Sequence, residues 1–201
     1  HPRAWRCSYE AARVMAETAV RHGAPEGFIT WIDNPALADT AYLMRHPDVR
    51  LIDATGGPSM VSAAYSSGKP ALGVGAGNTP VYVERSADIE MAVVDIITSK
   101  TFDNGTICAS EQTVVIDDAI YDTVLERFAA LGCHVCSDTE VALLSRTVID
   151  PKSGMMHPRA VGQRAVDVAK VLGMSVAPAT KLLIAPIKGV GRDHPLSAEK
   201  L

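Results

Sequence analysis

Apolar residues recur along this chain at two spacings, one typical of helices and the other typical of strands. In the first part of the chain, the spacing predicts helices over 8–22, 35–45 and 58–66, and strands over 28–32, 49–53 and 72–75. Strands that alternate with helices usually pair in parallel, because right-handed crossover connections bring them side by side. The pattern therefore predicts that the chain begins inside a doubly wound α/β sheet.

The second part of the chain shows the same alternation. Here the pattern predicts helices over 87–100, 120–131, 140–146 and 161–172, and strands over 113–116, 133–136 and 181–187. The glycine-rich stretch 75–79 lies between the two parts and is the expected hinge. We therefore expect two α/β domains, 1–78 and 79–201.

Composition narrows the function classes. The chain has 201 residues, of which 47% are hydrophobic, and its formal net charge is -4. No apolar run approaches the ~20 residues that a membrane-spanning helix needs. Acidic and basic residues are interspersed, whereas a nucleic-acid-binding surface usually shows a basic stripe. We expect a cytoplasmic metabolic enzyme that binds neither membrane nor nucleic acid.

The cysteines suit a reducing compartment. Four are present, at irregular spacing that does not resemble a disulfide framework. Cys133 and Cys136 form a CxxC pair, but no second ligand pair accompanies it, and side chains three apart on a strand point to opposite faces. The sequence therefore predicts no metal site.

A glycine turn follows the predicted strand 49–53. Thr55, Gly56 and Gly57 lie between that strand and the helix over 58–66, where backbone N–H groups and the helix dipole favour a phosphate. A Gly-Gly-Pro turn is also ordinary punctuation between elements. The residues alone leave both interpretations open.

Cys108 is the candidate nucleophile. It follows an Asn104-Gly105 turn and precedes a predicted buried strand, so the turn can present the thiol at the mouth of a cleft. The alternative is that Cys108 is a small buried hydrophobe, as many free cysteines are. Local chemistry does not decide between the two.

The segment around Cys108, FDNGTICASEQ at 102–112, resembles the nucleophile segment of the CoA-acylating aldehyde dehydrogenases, in particular the aldehyde dehydrogenase half of bifunctional aldehyde/alcohol dehydrogenases. Four further motifs match that family in order: ATGGP at 54–58, AAYSSGKP at 63–70, GVGAGNTP at 73–80 and EKL at 199–201. The match is weak between Cys133 and Pro158.

This resemblance implies a fold and a domain organisation. Residues 1–78 are expected to form the C-terminal portion of a Rossmann-like NAD-binding domain, and residues 79–201 the N-terminal portion of the α/β catalytic domain. The chain also looks like an internal piece of a longer protein, because the family's oxyanion asparagine falls upstream of His1 and further catalytic segments fall after Leu201. We expect the piece to have little or no activity alone, and the complete protein to be a homo-oligomer.

The resemblance also implies site residues. Cys108 would carry the acyl group as a thioester, and Gly57, with Thr55 and Gly56 in the same turn, would border NAD. Gly75 would lie near the nicotinamide, and Glu199 would hold the nicotinamide ribose hydroxyls. Arg3 is a weaker cofactor candidate, Lys69 and Lys100 are candidates for lowering the pKa of Cys108, and Glu111 either moves a proton or anchors the turn.

Position 74 separates two reaction types. Hydrolytic aldehyde dehydrogenases carry a glutamate there that activates water, whereas this chain has Val74. Without that base, the thioester is expected to react with coenzyme A rather than water. The expected reaction joins acetaldehyde, coenzyme A and NAD to give acetyl-CoA and NADH, reversibly. Succinate semialdehyde or sulfoacetaldehyde as substrate, a hydrolytic enzyme, and a non-enzymatic relative stay open as alternatives.

Overall fold

The computed structural model describes residues 4–33, 36–191 and 193–200. Arg3, Pro35 at the start of a predicted helix, and Leu201 of the EKL motif lie outside the described residues. The chain divides into two compact units, His1–Gly75 and Ala76–Leu201. The assignment of a cofactor domain and a catalytic domain to the chain stays a prediction.

The first unit contains three helices and one pair of strands among its described residues. In chain order they are α1 (Trp5–Arg21), α2 (Leu37–Arg45), β1 (Ile52–Thr55), α3 (Pro58–Tyr65) and β2 (Ala71–Val74). Strands β1 and β2 are parallel, and their register runs from Ile52 beside Ala71 to Thr55 beside Val74. The buried core is small and consists of Ile52, Ala54 and Ala64.

Two strand predictions in this unit need correction. The predicted strand 28–32 is wrong, because residues 28–29 are bends and residues 30–32 have no regular structure. A turn precedes them, in which the Phe28 backbone N–H donates to the Pro25 carbonyl and Gly27 has a φ of +78°. The predicted strand 49–53 is shifted, because the Val49 amide donates to His46 in a turn and is lost to the ladder. An apolar, β-branched run alone does not supply a strand partner.

The second unit contains four α-helices, three short 3-10 helices (Phe102–Gly105, Asp118–Ile120 and Pro195–Ser197) and four strands among its described residues. In chain order, the α-helices and strands are β3 (Pro80–Val83), α4 (Ile89–Thr101), β4 (Thr113–Ile116), α5 (Tyr121–Ala130), β5 (His134–Val135), α6 (Asp138–Thr147), α7 (Ala165–Val171) and β6 (Leu183–Ile184). Strands β3 and β4 pair in parallel, as do β5 and β6. No described helix of either unit is long and apolar enough to cross a bilayer.

Three elements of the second unit differ from the prediction. Strand β3 was missed, because its first residue is Pro80; a proline is tolerated at that position, where the missing N–H costs least. The last predicted helix begins at Ala165 rather than at 161, because Gly162 has a φ of +68° and interrupts the helical backbone. The strand predicted over 181–187 is reduced to Leu183–Ile184.

Two apolar clusters form the core of the second unit. The first joins β3, α4 and α5 through residues that include Val83, Val93 and Phe128, and it contains Cys133. The second gathers around α6 and contains Cys136. The two cysteines therefore belong to different apolar clusters and do not form a pair in one cluster.

Candidate active site

A strained turn precedes Cys108. Helix α4 ends at Thr101, and Asp103, Asn104 and Gly105 then have φ values of +49°, +52° and +75°. A left-handed backbone costs most non-glycine residues about 1–2 kcal/mol, and Asp and Asn adopt it more readily than the others, so the strain at Asp103 and Asn104 is mild. The Thr106 hydroxyl offsets part of that cost by donating to the Asp103 carbonyl (3.0 Å) and carboxylate (2.7 Å).

Cys108 is exposed, whereas Cys133 and Cys136 are buried. The alternative that Cys108 is a buried hydrophobe is therefore wrong. Its carbonyl accepts a hydrogen bond from the Thr79 hydroxyl at 2.7 Å. Within the described ranges its amide N–H has no acceptor, so that group is available to an oxyanion formed beside the thiol.

The residues after Cys108 are anchored to the second unit. Ser110 is 3% exposed, and its hydroxyl donates to the Ser99 carbonyl at 2.9 Å on helix α4. The Gln112 backbone N–H donates to the Thr79 carbonyl at 2.9 Å, next to the first residue pair of the β3–β4 ladder. For Glu111, the buried Oε2 atom has no hydrogen-bond partner among the described residues, which leaves its two predicted roles open.

Lys100 connects the turn with the end of the described chain. Its amine donates to the Lys200 carbonyl at 2.6 Å, and a Cβ placed on Gly105 would lie 3.0 Å from the amine. Burial lowers the pKa of Lys100, and the Glu111 carboxylate opposes that shift. The role of Lys69 or Lys100 in activating Cys108 stays a prediction.

The segment that carries Glu199 is held by several polar contacts. The Gly77 amide donates to Glu199 Oε1 at 3.1 Å, and the Lys200 amide donates to Gln112 Oε1 at 2.5 Å. The Lys200 amine donates to the carbonyls of Leu196 (2.5 Å) and Ala198 (3.0 Å). Burial, and next the charge of Lys100, lower the pKa of Lys200 to about 8.

A cavity of about 300 Å³ lies in the same unit. Its lining is mostly apolar and comes largely from β4, α5, α7 and the segment around β6, with Glu111, Gln112 and both lysines among the polar contributors. Cys108 is not part of this lining, so the thiol is not presented in this cavity.

The glycine turn of the first unit has a different construction. Gly57 caps α3 with a φ of -64°, and a Cβ there would meet no atom within 4 Å. The Gly56 amide donates to the Val74 carbonyl at 3.0 Å, so the turn after β1 lies beside the last residue of β2. At Gly75 a Cβ would make only an ordinary contact, 3.9 Å from Val61.

Neither conformation nor internal packing demands a glycine at Gly57 or Gly75. Both follow the carboxyl ends of paired parallel strands, which is where ligands bind in α/β sheets. Thr55 is the last residue of β1 and belongs to the same edge. The arrangement fits a dinucleotide that approaches the backbone closely, and the site roles of these residues stay predictions.

Three side chains whose residue types can bind a metal lie close together, and the sequence did not predict this cluster. Ligand atoms of His134, Cys136 and Glu140 lie within 4.8 Å of one another. The Glu140 carboxylate also accepts from the Ser137 amide (2.8 Å) and hydroxyl (3.0 Å), which caps α6. Burial, and next Glu140, raise the pKa of Cys136 to about 11, so the thiol is protonated at neutral pH. Helix capping explains the position of Glu140 without a metal.

Four residues that organise the candidate site had no predicted role: Asn78, Thr79, Gln112 and Lys200. Asn78 and Thr79 lay inside a matched motif but gave no local signal of a role. Their partners are 29 to 120 positions away along the chain. No pattern in a single sequence shows contacts of that kind.

Comparison with known proteins finds relatives that are named as aldehyde dehydrogenases. The chain is 48% identical over 201 residues to the bifunctional aldehyde-alcohol dehydrogenase AdhE of Escherichia coli (strain K12), covering 100% of this chain and 22% of that protein. The crystal structure of a probable aldehyde dehydrogenase from Listeria monocytogenes EGD-e matches with 44% identity and a TM-score of 0.93, covering 100% of this chain and 44% of the other.

More distant relatives carry informative names. The succinate-semialdehyde dehydrogenase (acetylating) of Clostridium kluyveri is 36% identical over 201 residues, covering 100% of this chain and 44% of that protein. The crystal structure of Rhodopseudomonas palustris propionaldehyde dehydrogenase with bound propionyl-CoA has 34% identity and a TM-score of 0.82, covering 98% of this chain and 43% of the other.

The chain thus spans 22% of the length of the bifunctional relative and less than half of the solved structures. A family model described as "Aldehyde dehydrogenase family" matches residues 7–135. The predicted α/β aldehyde dehydrogenase fold is confirmed by the structural likeness. The chain belongs to the aldehyde dehydrogenase family.

Proposed function

We propose that this chain supplies the nucleophile and part of the cofactor site of a CoA-acylating aldehyde dehydrogenase. The observation that carries the proposal is the exposed Cys108, which follows a strained turn and has a backbone amide free among the described residues. Strained turns are typical of functional sites, where the surrounding contacts maintain them. The names of the relatives, which include acetylating enzymes, support the same chemistry.

The chain's own residues account for the covalent steps. The Cys108 thiolate adds to the aldehyde carbon and forms a thiohemiacetal. The oxyanion of this intermediate accepts a hydrogen bond from the Cys108 backbone N–H. NAD, when bound, accepts the hydride that leaves this carbon. A thioester on Cys108 remains, and the coenzyme A thiolate attacks it, releasing acyl-CoA and the Cys108 thiolate. The reverse sequence reduces acyl-CoA.

The cofactor contacts are proposed from two places in the chain. Thr55, Gly56 and Gly57 give a phosphate access to backbone N–H groups at the start of α3, and Gly75 leaves space beside β2. Glu199 offers carboxylate oxygens that suit the two hydroxyls of a ribose, and its Oε1 is already oriented by the Gly77 amide.

Coenzyme A, rather than water, is proposed as the acyl acceptor. Val74 is 51% exposed at the end of β2 and has no carboxylate to activate water. General-base assistance is typically worth about 10²–10⁴-fold, so hydrolysis without it is slow. The solved relative with bound propionyl-CoA supports this choice.

Acetaldehyde is the proposed substrate. A solved acetylating aldehyde dehydrogenase from Geobacillus thermoglucosidasius, 43% identical with a TM-score of 0.89 and covering 98% of this chain and 43% of the other, supports a two-carbon acyl group. Succinate semialdehyde is the second candidate, because an acetylating enzyme with that substrate name is 36% identical to the chain.

The proposed setting is the cytoplasm, because all four cysteines are free thiols and a reducing compartment keeps them so. The functional protein is proposed to be a homo-oligomer, which sedimentation of the natural full-length protein tests.

The reaction is tested on the natural full-length protein by following products with acetaldehyde and NAD, with and without coenzyme A. We expect acetyl-CoA with coenzyme A, and little free acetate in its absence. Free acetate formed at full rate without coenzyme A would contradict the proposal. Omitting coenzyme A should also trap an acyl group on Cys108, which peptide mass spectrometry detects, while Cys7, the other exposed cysteine, serves as an internal control.

A further inference from the structure

Three adjacent residues before β3 reach two separate segments of the second unit. The Gly77 amide donates to Glu199 Oε1, Asn78 contacts the chain just before Glu199, and Thr79 contacts Cys108. The proposed nucleophile and the proposed ribose-binding carboxylate are therefore attached to one short piece of backbone.

Thr79 holds both ends of the segment from Cys108 to Gln112. Its hydroxyl donates to the Cys108 carbonyl at 2.7 Å, and its own carbonyl accepts from the Gln112 amide at 2.9 Å. The first contact orients the peptide group that follows Cys108, and the second joins the loop to the start of the β3 and β4 ladder. Removing only the hydroxyl would release the Cys108 end and keep the Gln112 end.

Asn78 holds the segment before Glu199. Its side-chain nitrogen donates to the carbonyls of Ser197 (3.0 Å) and Ala198 (2.8 Å), and both contacts are partly buried. An amide group supplies two N–H donors, so one side chain satisfies both carbonyls. On the other side of Glu199, Lys200 is tied to Gln112, which leaves the carboxylate between two attached neighbours.

We propose that Thr79 and Asn78 are separate positioning residues, Thr79 for the Cys108 thiol and Asn78 for the Glu199 carboxylate. This inference rests on the proposed function, since it assigns Thr79 to the nucleophile and Asn78 to the cofactor site. Neither side chain is given contact with a reacting atom. Each side chain acts through hydrogen bonds to backbone carbonyls, and either side chain can be replaced without changing the contacts of the other.

The experiment compares Thr79→Val, Thr79→Ser and Asn78→Leu in the natural full-length protein. Three quantities are measured: the alkylation rate of Cys108 by iodoacetamide, followed at the peptide level because Cys7 is also exposed; kcat; and KM for NAD. Loss of one neutral hydrogen bond corresponds to about three- to tenfold. We expect Thr79→Val to change alkylation and kcat by that factor with KM for NAD nearly unchanged, and Thr79→Ser to restore both.

Asn78→Leu should give the opposite split, with KM for NAD raised about tenfold and the alkylation rate of Cys108 unchanged. Thr79→Val with wild-type alkylation and kcat would overturn the inference. So would variants that all shift the three quantities together with a lower Tm, because that pattern indicates general destabilisation. A Cys108→Ala variant run in parallel separates the two claims: if it keeps turnover, the proposed function itself fails, whatever the result at Thr79.

Discussion

Two glycine turns of this chain, one in each unit, look alike in sequence and differ in physical basis. Gly57 follows β1, has an ordinary φ of -64° and has no atom within 4 Å of the position where a Cβ would stand. Gly105 follows α4, has a φ of +75° and lies against the Lys100 side chain. The second glycine is required by the chain's own backbone, whereas the first leaves open space over a helix start.

The two turns also differ in what holds them. Around Gly57 the contacts come from nearby residues, such as the Met60 amide, and from the paired strand β2. The segment after Gly105 is tied to Thr79 and, through Gln112, to Lys200; Lys100, just before the turn, also donates to Lys200. A turn that receives a ligand can be local, but a turn that presents a nucleophile needs distant contacts to restrain it.

The largest expected effect concerns the nucleophile that only the second turn carries. Cys108→Ala should lower kcat at least about 10³-fold, because no other thiol can replace the covalent intermediate. Cys7→Ala is the matched control, since Cys7 is the other exposed cysteine, and its kcat should stay near the wild-type value. Steady-state NADH formation measures kcat of both variants. Substantial turnover by Cys108→Ala would mean that the second turn does not present the nucleophile.

The next effect tests the backbone requirement at Gly105. Gly105→Ala should lower the free energy of unfolding by about 1–3 kcal/mol, because alanine is strained at φ +75° and its Cβ would lie 3.1 Å from the Lys100 carbonyl. Urea unfolding checks the change. A variant as stable as the wild type would mean that the left-handed turn is not needed.

The corresponding change at Gly57 should affect ligand binding and spare stability. Gly57→Val places a side chain in the open space over α3, so KM for NAD should rise about tenfold. The free energy of unfolding should change by less than about 1 kcal/mol, because φ is ordinary and no atom is near. If instead the variant unfolds easily and binds NAD normally, the proposed cofactor turn is wrong.

The smallest effect concerns Lys200. Its pKa is lowered to about 8 in the folded chain, against 10.5 as its ordinary value. Below pH 8 it is charged in both states, and burial of that charge costs stability. Between pH 8 and 10.5 the folded state has lost a proton that the unfolded state still binds, so stability rises with pH.

Compared with Lys200→Met, the wild type should therefore gain about 1–2 kcal/mol of unfolding free energy between pH 8 and pH 10.5, after allowance for partial exposure. The comparison with the variant cancels the groups that titrate independently of Lys200, and the gain includes the coupling of Lys200 with Lys100. Urea unfolding at both pH values measures the gain, and a constant difference between the two proteins would show that Lys200 titrates normally.

The helices were predictable because their apolar spacing is a local property. Helix α4 was expected over 87–100 and observed over Ile89–Thr101, and α5 was expected over 120–131 and observed over Tyr121–Ala130. The strands were harder, because a strand depends on a partner. The segment 28–32 has strand-like residues and no observed partner among the described residues, while β3 begins with a proline and was missed.

The candidate site divides in the same way. Cys108, Glu199 and the glycines stood out in the sequence because their residue types and family motifs carry chemistry. The run of left-handed residues that begins at Asp103, and the contacts of Thr79, Asn78 and Lys200, did not. Hydroxyl and amide side chains that can donate hydrogen bonds occur throughout any sequence, and only their position in the fold decides which groups they contact.

By itself, then, the sequence determined the α/β class, the family and the identity of the candidate nucleophile, since these depend on residue type and on spacing within short segments. The tertiary structure alone decided that Cys108 is exposed, that Gly105 is required by the backbone, and that Thr79 holds the nucleophile loop. The Thr79 contact joins residues 29 positions apart, and the requirement at Gly105 comes from a left-handed φ and the close approach of Lys100. Such contacts exist only after the chain has folded.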